Sequence, residues 1–334
     1  MSLRRQTISN TVMSGMFSKI VQAFLILLCT GLVSTSTATA LAASLPAQPS
    51  TGPGSTDYAH SQIISSSHGA GTLQYYIYEP DSPKPSRAPL IVFLHGWGGM
   101  DPSNYEAWIR HIVRMGNIVV YPVYQTMATT STHYNSNSLE AVRNSLETLH
   151  SGGHVVPDLG RFAIVGHSVG GILAANMAAL AEAAGLPAPK AVMSVEPGIS
   201  TMFNLEDLST IPSDALLLSV AGDRDSVVGD SDAKSIFRNT PQIPPENKDY
   251  ITMVSDNYGS PSLLADHFAP CCSNSNNVDP LDYYCLWKLF DALTDAAFYG
   301  RNREYALGNT PQQRYMGKWS DGTPVRELIV TDNP

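Results

Sequence analysis

The chain is poor in charge, and the charge that it carries is mostly negative. Only 15% of its 334 residues are charged and 43% are hydrophobic, which is enough apolar material for a large buried core. Acidic residues outnumber basic ones by 29 to 20, and no run of basic residues occurs. Because proteins that bind a phosphate backbone need a basic surface, we expect no nucleic-acid partner.

Residue patterns typical of metal sites are scarce. The nine histidines are scattered along the chain, and no Cys-X-X-Cys pair occurs among the four cysteines. Zinc sites usually draw their ligands from such closely spaced pairs. We therefore predict no metal site and no cofactor.

A long hydrophobic run is missing as well, although the N-terminus is apolar. Basic residues precede an apolar stretch over 20–33, which is shorter than the ~20 residues of a spanning helix, and small residues follow over 34–43. This order is typical of a secretory signal, so we predict a signal peptide over 1–40, cleaved after Ala40 or Ala42. A retained anchor is the alternative. We expect a secreted protein, extracellular or in the cell envelope, without a stable membrane anchor.

The rest of the chain is predicted to hold one large domain. Residues 41–58 contain three prolines among serine and glycine, which indicates a disordered linker. Residues 59–300 carry the hydrophobic patterning of the folded domain, and 301–334 are expected to be an extension packed on it. We expect a monomer.

Signal removal would leave Cys271, Cys272 and Cys285. In an oxidising compartment two of the three are expected to pair, and a bridge from Cys272 to Cys285 would close a short loop. A bridge from Cys271 to Cys285 is an alternative, as is a strained bond between the two adjacent cysteines or a set of three buried thiols.

Residues 161–174 combine an apolar strand, a serine flanked by glycines, and a helix rich in alanine. Ser168 lies at the junction of the strand and the helix. Gly166 and Gly170 leave room for the sharp turn that would project the serine from the end of the sheet. This context is typical of a nucleophile elbow.

Strand-like and helix-like segments alternate around this elbow. The pattern predicts an α/β fold, with about eight strands in a mostly parallel sheet and helices on both of its faces. Predicted strands cover 62–65, 73–78, 89–94, 117–123, 162–165, 191–195, 215–220 and 250–254, predicted helices cover 104–115, 138–150, 169–183 and 279–300, and a final strand-like run covers 328–331.

A serine nucleophile needs a histidine base, which in turn needs an orienting carboxylate. Asp225 follows the seventh predicted strand and is our choice for the acid, with Asp223 and Glu196 as alternatives. His267 follows the eighth strand and is the only histidine downstream of Asp225. We therefore predict that Ser168, Asp225 and His267 are the catalytic residues.

Over about residues 60–300 this arrangement resembles the α/β-hydrolase superfamily, in which nucleophile, acid and histidine follow in that order. The resemblance also rests on His95-Gly96 after the third strand. It implies ester hydrolysis through an acyl-enzyme on Ser168, with an oxyanion hole made by the backbone N–H groups of Trp97 and Val169. His95 and His167 are expected to serve structurally. Among relatives, the chain is similar to dienelactone hydrolases, chlorophyllases and secreted polyester hydrolases, but it has Ser168 where the first group has cysteine.

The connection 196–214 is too short for a large helical cap, so we expect an open site. Trp97, Met202 and Phe203 are candidates for an apolar rim, although they could equally pack on the domain. The expected substrate is a small-molecule, lipid or polymeric ester. A serine peptidase of the same superfamily and a non-catalytic binding module on this fold are the alternatives.

Overall fold

The chain is organised around one sheet, which has nine strands within residues 42–199, 204–271 and 278–334, the parts described by the structure, a computed structural model. The strands are β1 (Gln62–His68), β2 (Gln74–Asp81), β3 (Arg87–Leu94), β4 (Ile118–Val123), β5 (Val156–His167), β6 (Ala191–Val195), β7 (Leu216–Gly222), β8 (Lys248–Met253) and β9 (Ile329–Thr331).

The strand order is β1-β2-β4-β3-β5-β6-β7-β8-β9. Every pairing from β4 through β8 is parallel, whereas β1–β2, β2–β4 and β8–β9 are antiparallel. The predicted mostly parallel α/β sheet is therefore confirmed. It has one strand more than the count of about eight because Ile329–Thr331, from the predicted extension, adds an antiparallel edge strand to β8.

Helices connect the parallel strands. They are α1 (Glu106–Arg114), α2 (Tyr134–His150), α3 (Val169–Leu180), α4 (Ser231–Arg238), α5 (Trp287–Tyr299) and the short α6 (Pro311–Arg314), and a π-helical segment, Leu281–Leu286, leads into α5. The predicted helix over 279–300 is therefore a π-helical turn continued by an α-helix. The elbow helix ends at Leu180, earlier than the predicted 183.

Both faces of the sheet are buried under helices. Alternate residues of β3 divide between two cores: Ile91 and Phe93 pack in the core that includes α1 and α5, while Leu90 and Val92 pack in the core that includes α2 and α3. A strand that is covered on both faces needs apolar side chains at every position, which explains the continuous apolar run of β3. The carboxyl ends of the parallel strands are thus presented along one edge of a rigid support.

The segment before β1 lies against the domain, which differs from the disordered linker predicted for 41–58. The hydroxyl of Tyr283 donates to the carbonyl of Pro46 at 2.5 Å, and the N–H of Gly54 donates to Asp291 Oδ2 at 2.8 Å. Pro46 and Gly54 are buried. Residues far along the chain supply these contacts, and they order a segment whose composition favours disorder.

The C-terminal segment is held on the same domain by a buried lysine. Lys288, on α5, is 3% exposed, and its ammonium donates to the carbonyls of Gln313 and Tyr315 at 2.8 and 2.6 Å and to that of Gln312 at 3.3 Å. Three N–H donors therefore meet three carbonyl acceptors.

None of the helices in the described ranges combines the length and the hydropathy that a membrane span requires. The predicted signal peptide over 1–40 lies outside the described residues.

Candidate active site

Ser168 lies at a strained turn between β5 and α3. Its backbone has φ 57° and ψ −124°, in the left-handed region that residues other than glycine rarely adopt. Its N–H donates to the carbonyl of Val195 at 3.0 Å, and its own carbonyl accepts the N–H groups of Gly171 at 2.8 Å and Gly198 at 3.2 Å. These bonds from β6 and α3 hold the turn in place and project the hydroxyl from the end of the sheet.

Ser168, His267 and Asp225 form one hydrogen-bonded series. His267 Nε2 lies 2.9 Å from Ser168 Oγ, and His267 Nδ1 lies 2.8 Å from Asp225 Oδ2. An ionised carboxylate only accepts, so Nδ1 carries the proton and Nε2 is free to accept the proton of the serine hydroxyl. All three side chains are at most 9% exposed. The structure thus brings together the three residues that the sequence predicts to be catalytic.

Backbone donors fix the carboxylate of Asp225. Its Oδ1 accepts the N–H groups of Val227 at 2.9 Å and Val228 at 3.0 Å, which leaves Oδ2 for His267. The alternative acid Asp223 instead accepts both the N–H and the hydroxyl of Ser255. The two acids of this loop therefore have separate partners, and only Asp225 contacts the histidine.

The surroundings of His267 favour its neutral form. Burial lowers the pKa of His267 below its ordinary value of 6.5, and the nearby His167 lowers it further, while the hydrogen bond and the charge of Asp225 oppose this shift. A neutral imidazole is the form that can take a proton from a hydroxyl. The lowered pKa therefore favours the protonation state that the predicted role of His267 requires.

The predicted oxyanion donors flank the serine. A Cβ built on Gly96 would lie 3.1 Å from Cβ of Ser168, so the loop 95–99 is directly beside the serine, and this loop is closed by the N–H of Gly99 on the carbonyl of Gly96 at 3.0 Å. Trp97 belongs to this loop. Val169 is the first residue of α3, and its N–H has no acceptor within the helix.

His95 holds the start of this loop. Its Nδ1 donates to the carbonyl of Gly96 at 2.6 Å, and its ring stacks on Tyr124 and Tyr121 with centroids 4.2 and 5.3 Å apart. Burial lowers the pKa of His95 to about 4, so the ring is neutral at neutral pH. The sequence predicts a structural role for this residue, and its contacts fit that role.

A cavity of about 650 Å³ opens at Ser168. Three exposed apolar side chains line it, Trp97 at 55%, Val227 at 60% and Phe268 at 55% exposure. No Asp, Glu, Lys or Arg occurs among its described lining residues. Trp97 is the predicted rim residue that the structure places here, whereas the other two candidates, Met202 and Phe203, lie outside the described residues.

The cysteines divide between the cavity wall and the core. Cys271 lines the cavity and is hydrogen-bonded to the hydroxyl of Tyr105. Cys285 is fully buried in the π-helical segment, and burial raises the pKa of its thiol to about 12. No disulfide joins the cysteines that the structure describes. Cys272 lies outside the described residues, so its pairing with Cys285 stays a prediction.

Two histidine groupings bear on the prediction of no metal site. His150 and His154 have the four-residue spacing of a helical metal pair, but His150 ends α2 and bonds the carbonyl of Leu146, while His154 pairs with Glu79 at 2.8 Å. In the second grouping, one potential ligand atom each from His167, Glu196 and His267 lies within 4.8 Å of the others. That cluster contains the histidine that bonds Ser168.

Sequence reasoning missed two residues of the site and the surroundings of a third. Tyr105 precedes α1 and lines the cavity, and Phe268 lines it next to His267. Glu196, predicted only as an alternative acid, is completely buried beside His167. Phe268 could have been found because it is adjacent to His267 in the chain. Tyr105 is distant in sequence from every predicted catalytic residue and carries no local signal.

The comparison with protein families agrees with this geometry. Residues 55–206 match the family model described as Chlorophyllase, a stretch that includes Ser168 and the loop 95–99 and ends before Asp225. No curated protein matches the chain. The family match indicates an ester hydrolase. With the nine-stranded, mostly parallel sheet of the described residues, the chain has an α/β fold consistent with that of α/β-hydrolases and is similar to chlorophyllases over residues 55–206.

Proposed function

We propose that the protein is a serine hydrolase that cleaves carboxylic esters through an acyl-enzyme on Ser168. The observation that carries this proposal is the hydrogen-bonded series from Asp225 through His267 to Ser168, with distances of 2.8 and 2.9 Å. The match of residues 55–206 to the Chlorophyllase family supports the choice of esters.

In the acylation step, Ser168 Oγ attacks the carbonyl carbon of the ester while its proton moves to His267 Nε2. Asp225 Oδ2 accepts a hydrogen bond from Nδ1–H, which keeps its proton, and stabilises the imidazolium that forms. The negative oxygen of the tetrahedral intermediate is held by the N–H groups of Trp97 and Val169. The intermediate collapses when the C–O bond breaks, and His267 returns its proton to the departing alcohol.

Deacylation repeats the sequence with water as the nucleophile. His267 Nε2 takes a proton from the water, whose oxygen attacks the acyl carbon, and the same N–H groups hold the second oxyanion. The bond to Ser168 Oγ then breaks, the proton returns to the serine, and a carboxylic acid leaves. No group other than these residues and water is needed to balance the reaction.

The substrate is proposed to be an uncharged ester with an apolar acyl or alcohol part, from a small molecule, a lipid or a polymer. Trp97, Val227 and Phe268 offer apolar surface at the mouth of a cavity whose described lining carries no Asp, Glu, Lys or Arg. Charged groups would lose hydration there without gaining a partner. The half-exposed rim also leaves room for a substrate that extends beyond the cavity.

The protein is proposed to act after export. This rests on the sequence pattern of residues 1–40 and on the small residues around Ala40. N-terminal sequencing of the secreted chain tests it. An intact Met1 on exported material would refute cleavage.

Hydrolysis of p-nitrophenyl esters of graded acyl length, beside peptide anilides, tests the proposed reaction. We expect cleavage of the esters and labelling of Ser168 by a fluorophosphonate. Cleavage of the anilides alone would overturn the ester assignment in favour of a peptidase. A folded wild-type chain that neither hydrolyses esters nor takes the label would overturn the enzymatic assignment altogether.

A further inference from the structure

His167 connects the loop 95–99 with the backbone of His267. Its Nδ1 lies 2.8 Å from the hydroxyl of Tyr105, and the oxygen of that hydroxyl accepts the N–H of Gly96 at 2.9 Å. On the other side of the ring, Nε2 lies 2.8 Å from the carbonyl oxygen of His267. Tyr105 and His167 are each 2% exposed, so water does not compete for these bonds.

The chemistry of the partners gives this series one direction. The carbonyl of His267 can only accept, so Nε2 of His167 carries a proton. The oxygen of the Tyr105 hydroxyl accepts from Gly96, so the proton of that hydroxyl is donated to Nδ1 of His167, which accepts it. Burial raises the pKa of Tyr105 well above 10.0, so the hydroxyl keeps its proton, and its oxygen accepts from Gly96.

Glu196 lies behind the ring of His167. Glu196 Oε2 is 3.5 Å from His167 Nε2, and neither carboxyl oxygen has a hydrogen-bond partner among the described residues. Burial, followed by the charges of Asp225 and Asp266, raises the pKa of Glu196 well above 4.5. Glu196 therefore packs beside the ring without entering the hydrogen-bonded series.

We propose that His167 is a positioning residue that fixes the loop carrying Trp97 relative to the backbone of His267. It is bonded to the loop through Tyr105 and to the carbonyl of His267 through its own Nε2–H. The inference rests on the proposed function, because the two parts that it aligns are the oxyanion loop and the base. The two hydrogen bonds of the ring go to Tyr105 and to the backbone of His267, not to Ser168 Oγ or His267 Nε2, although the ring lies 4.8 Å from that of His267, centroid to centroid. Through these two bonds it sets the distance between the base and the oxyanion donors.

The first test compares His167→Phe, Tyr105→Phe and the double variant on a p-nitrophenyl ester. Phenylalanine keeps the ring volume at 167 and removes both of its hydrogen bonds. We expect kcat to fall about 10- to 100-fold in each single variant with KM within about threefold, because a small displacement of catalytic groups costs rate rather than binding. The double variant should lose no more than the worse single variant, since both substitutions break one series.

Two further variants at position 167 each restore one of the two hydrogen bonds of the histidine. Recovery of kcat in these variants would not be expected if the ring served only to fill space. The amide nitrogen of glutamine can donate to the His267 carbonyl as Nε2 does, whereas the amide oxygen of asparagine can accept from Tyr105 as Nδ1 does. We expect His167→Gln to recover about tenfold of the kcat lost in His167→Phe. We expect His167→Asn also to have a higher kcat than His167→Phe, and this difference should vanish when Tyr105→Phe is added to both.

His60→Phe is the matched control, because His60 is also buried and also bonds a carbonyl, that of Pro83 at 2.6 Å, but does not line the cavity. It should leave kcat unchanged even if the melting temperature falls.

The inference alone would be overturned if the losses of kcat in the two single variants multiplied in the double variant, or if His167→Phe kept the kcat of the wild type. A folded wild-type chain without ester hydrolysis would overturn the proposed function and this inference together. If His167→Phe fails to fold, Tyr105→Phe and His167→Gln carry the same comparison, and an unchanged kcat in both would overturn the inference.

Discussion

Gly166 and Gly170 face each other across the turn at Ser168, so closely that a Cβ on Gly166 would overlap the carbonyl oxygen of Gly170. A Cβ on Gly170 would in turn overlap the carbonyl of Leu94 at the end of β3. The turn can therefore form only where both positions lack a side chain. The two glycines of the Gly-X-Ser-X-Gly pattern thus have a steric reason.

Gly166→Ala is expected to destabilise the protein by at least ~3 kcal/mol, because the backbone on both sides of the overlap is rigid. Thermal unfolding measures this loss. Gly160→Ala is the matched control in the same strand, since its Cβ would lie 3.4 Å from Asp158 Oδ1, an ordinary contact. Similar melting temperatures for the two variants would contradict the steric argument.

Ser168→Ala, His267→Ala and Asp225→Ala should each lower kcat/KM for a p-nitrophenyl ester by at least about 1,000-fold while the chain stays folded. Asp223→Ala is the control within the same loop, because Asp223 bonds Ser255 and does not contact the histidine. It should retain most of the activity. A large loss in Asp223→Ala with little loss in Asp225→Ala would reverse the assignment of the acid.

The pH dependence of kcat/KM should reflect the lowered pKa of His267. The base works when neutral, so activity is full above its pKa and falls as the pH drops through it. Burial and His167 lower that pKa, so the midpoint of the acid limb is expected below 6.5, the ordinary histidine value. A midpoint above 6.5 would show that the charge of Asp225 outweighs burial.

Glu196 should make folding stability depend on pH. Its pKa is raised in the folded state, so the folded chain holds this proton more tightly than the unfolded chain, whose value is near 4.5. Its contribution is therefore complete below pH 4.5 and is lost as the pH rises through the folded pKa. Glu196→Gln, which cannot ionise, should gain stability relative to wild type as the pH increases from 4 to 8. Urea unfolding at several pH values measures the difference, and a constant difference would contradict a raised pKa.

Trp97→Ala and Phe268→Ala should each lower kcat/KM about tenfold more for long acyl chains than for acetate, since each removes apolar surface at the mouth of the cavity. Ile329→Ala is the control, because Ile329 is 58% exposed on the edge strand β9 and does not line the cavity. Equal losses for all chain lengths would argue that the two rim residues do not contact the acyl chain.

Much of the fold could be predicted because its signals are local. Apolar runs of strand length marked the sheet, and the carboxyl ends of parallel strands meet at one edge, so the loops that carry Ser168, Asp225 and His267 were expected to converge. The preference for Asp225 over Asp223 came from the resemblance to the α/β-hydrolase superfamily, whose Gly-X-X-Asp spacing after this strand fits Asp225. The backbone donors that hold Asp225, Val227 and Val228, are also close in sequence.

The remaining features depend on contacts between distant parts of the chain. Residues 42–58 have the composition of a linker, and they are ordered by Tyr283 and Asp291, more than 200 positions away. Glu196 has no sequence signal for its burial, which results from the approach of β6 to β7. Tyr105 likewise meets His167 only when the end of β5 lies beside the segment that precedes α1.

The N-terminal and C-terminal segments of the described chain are both hydrogen-bonded to one helical region. Tyr283 and Asp291 bond the N-terminal segment, and Lys288 bonds the C-terminal segment. All three residues lie in the π-helical turn or in α5. A chain cut back to residues 59–300 would lose the carbonyl acceptors of Tyr283 and Lys288 and the Gly54 N–H that Asp291 accepts. Buried polar groups on α5 and the π-helical turn therefore tie the two terminal segments to the stability of the domain.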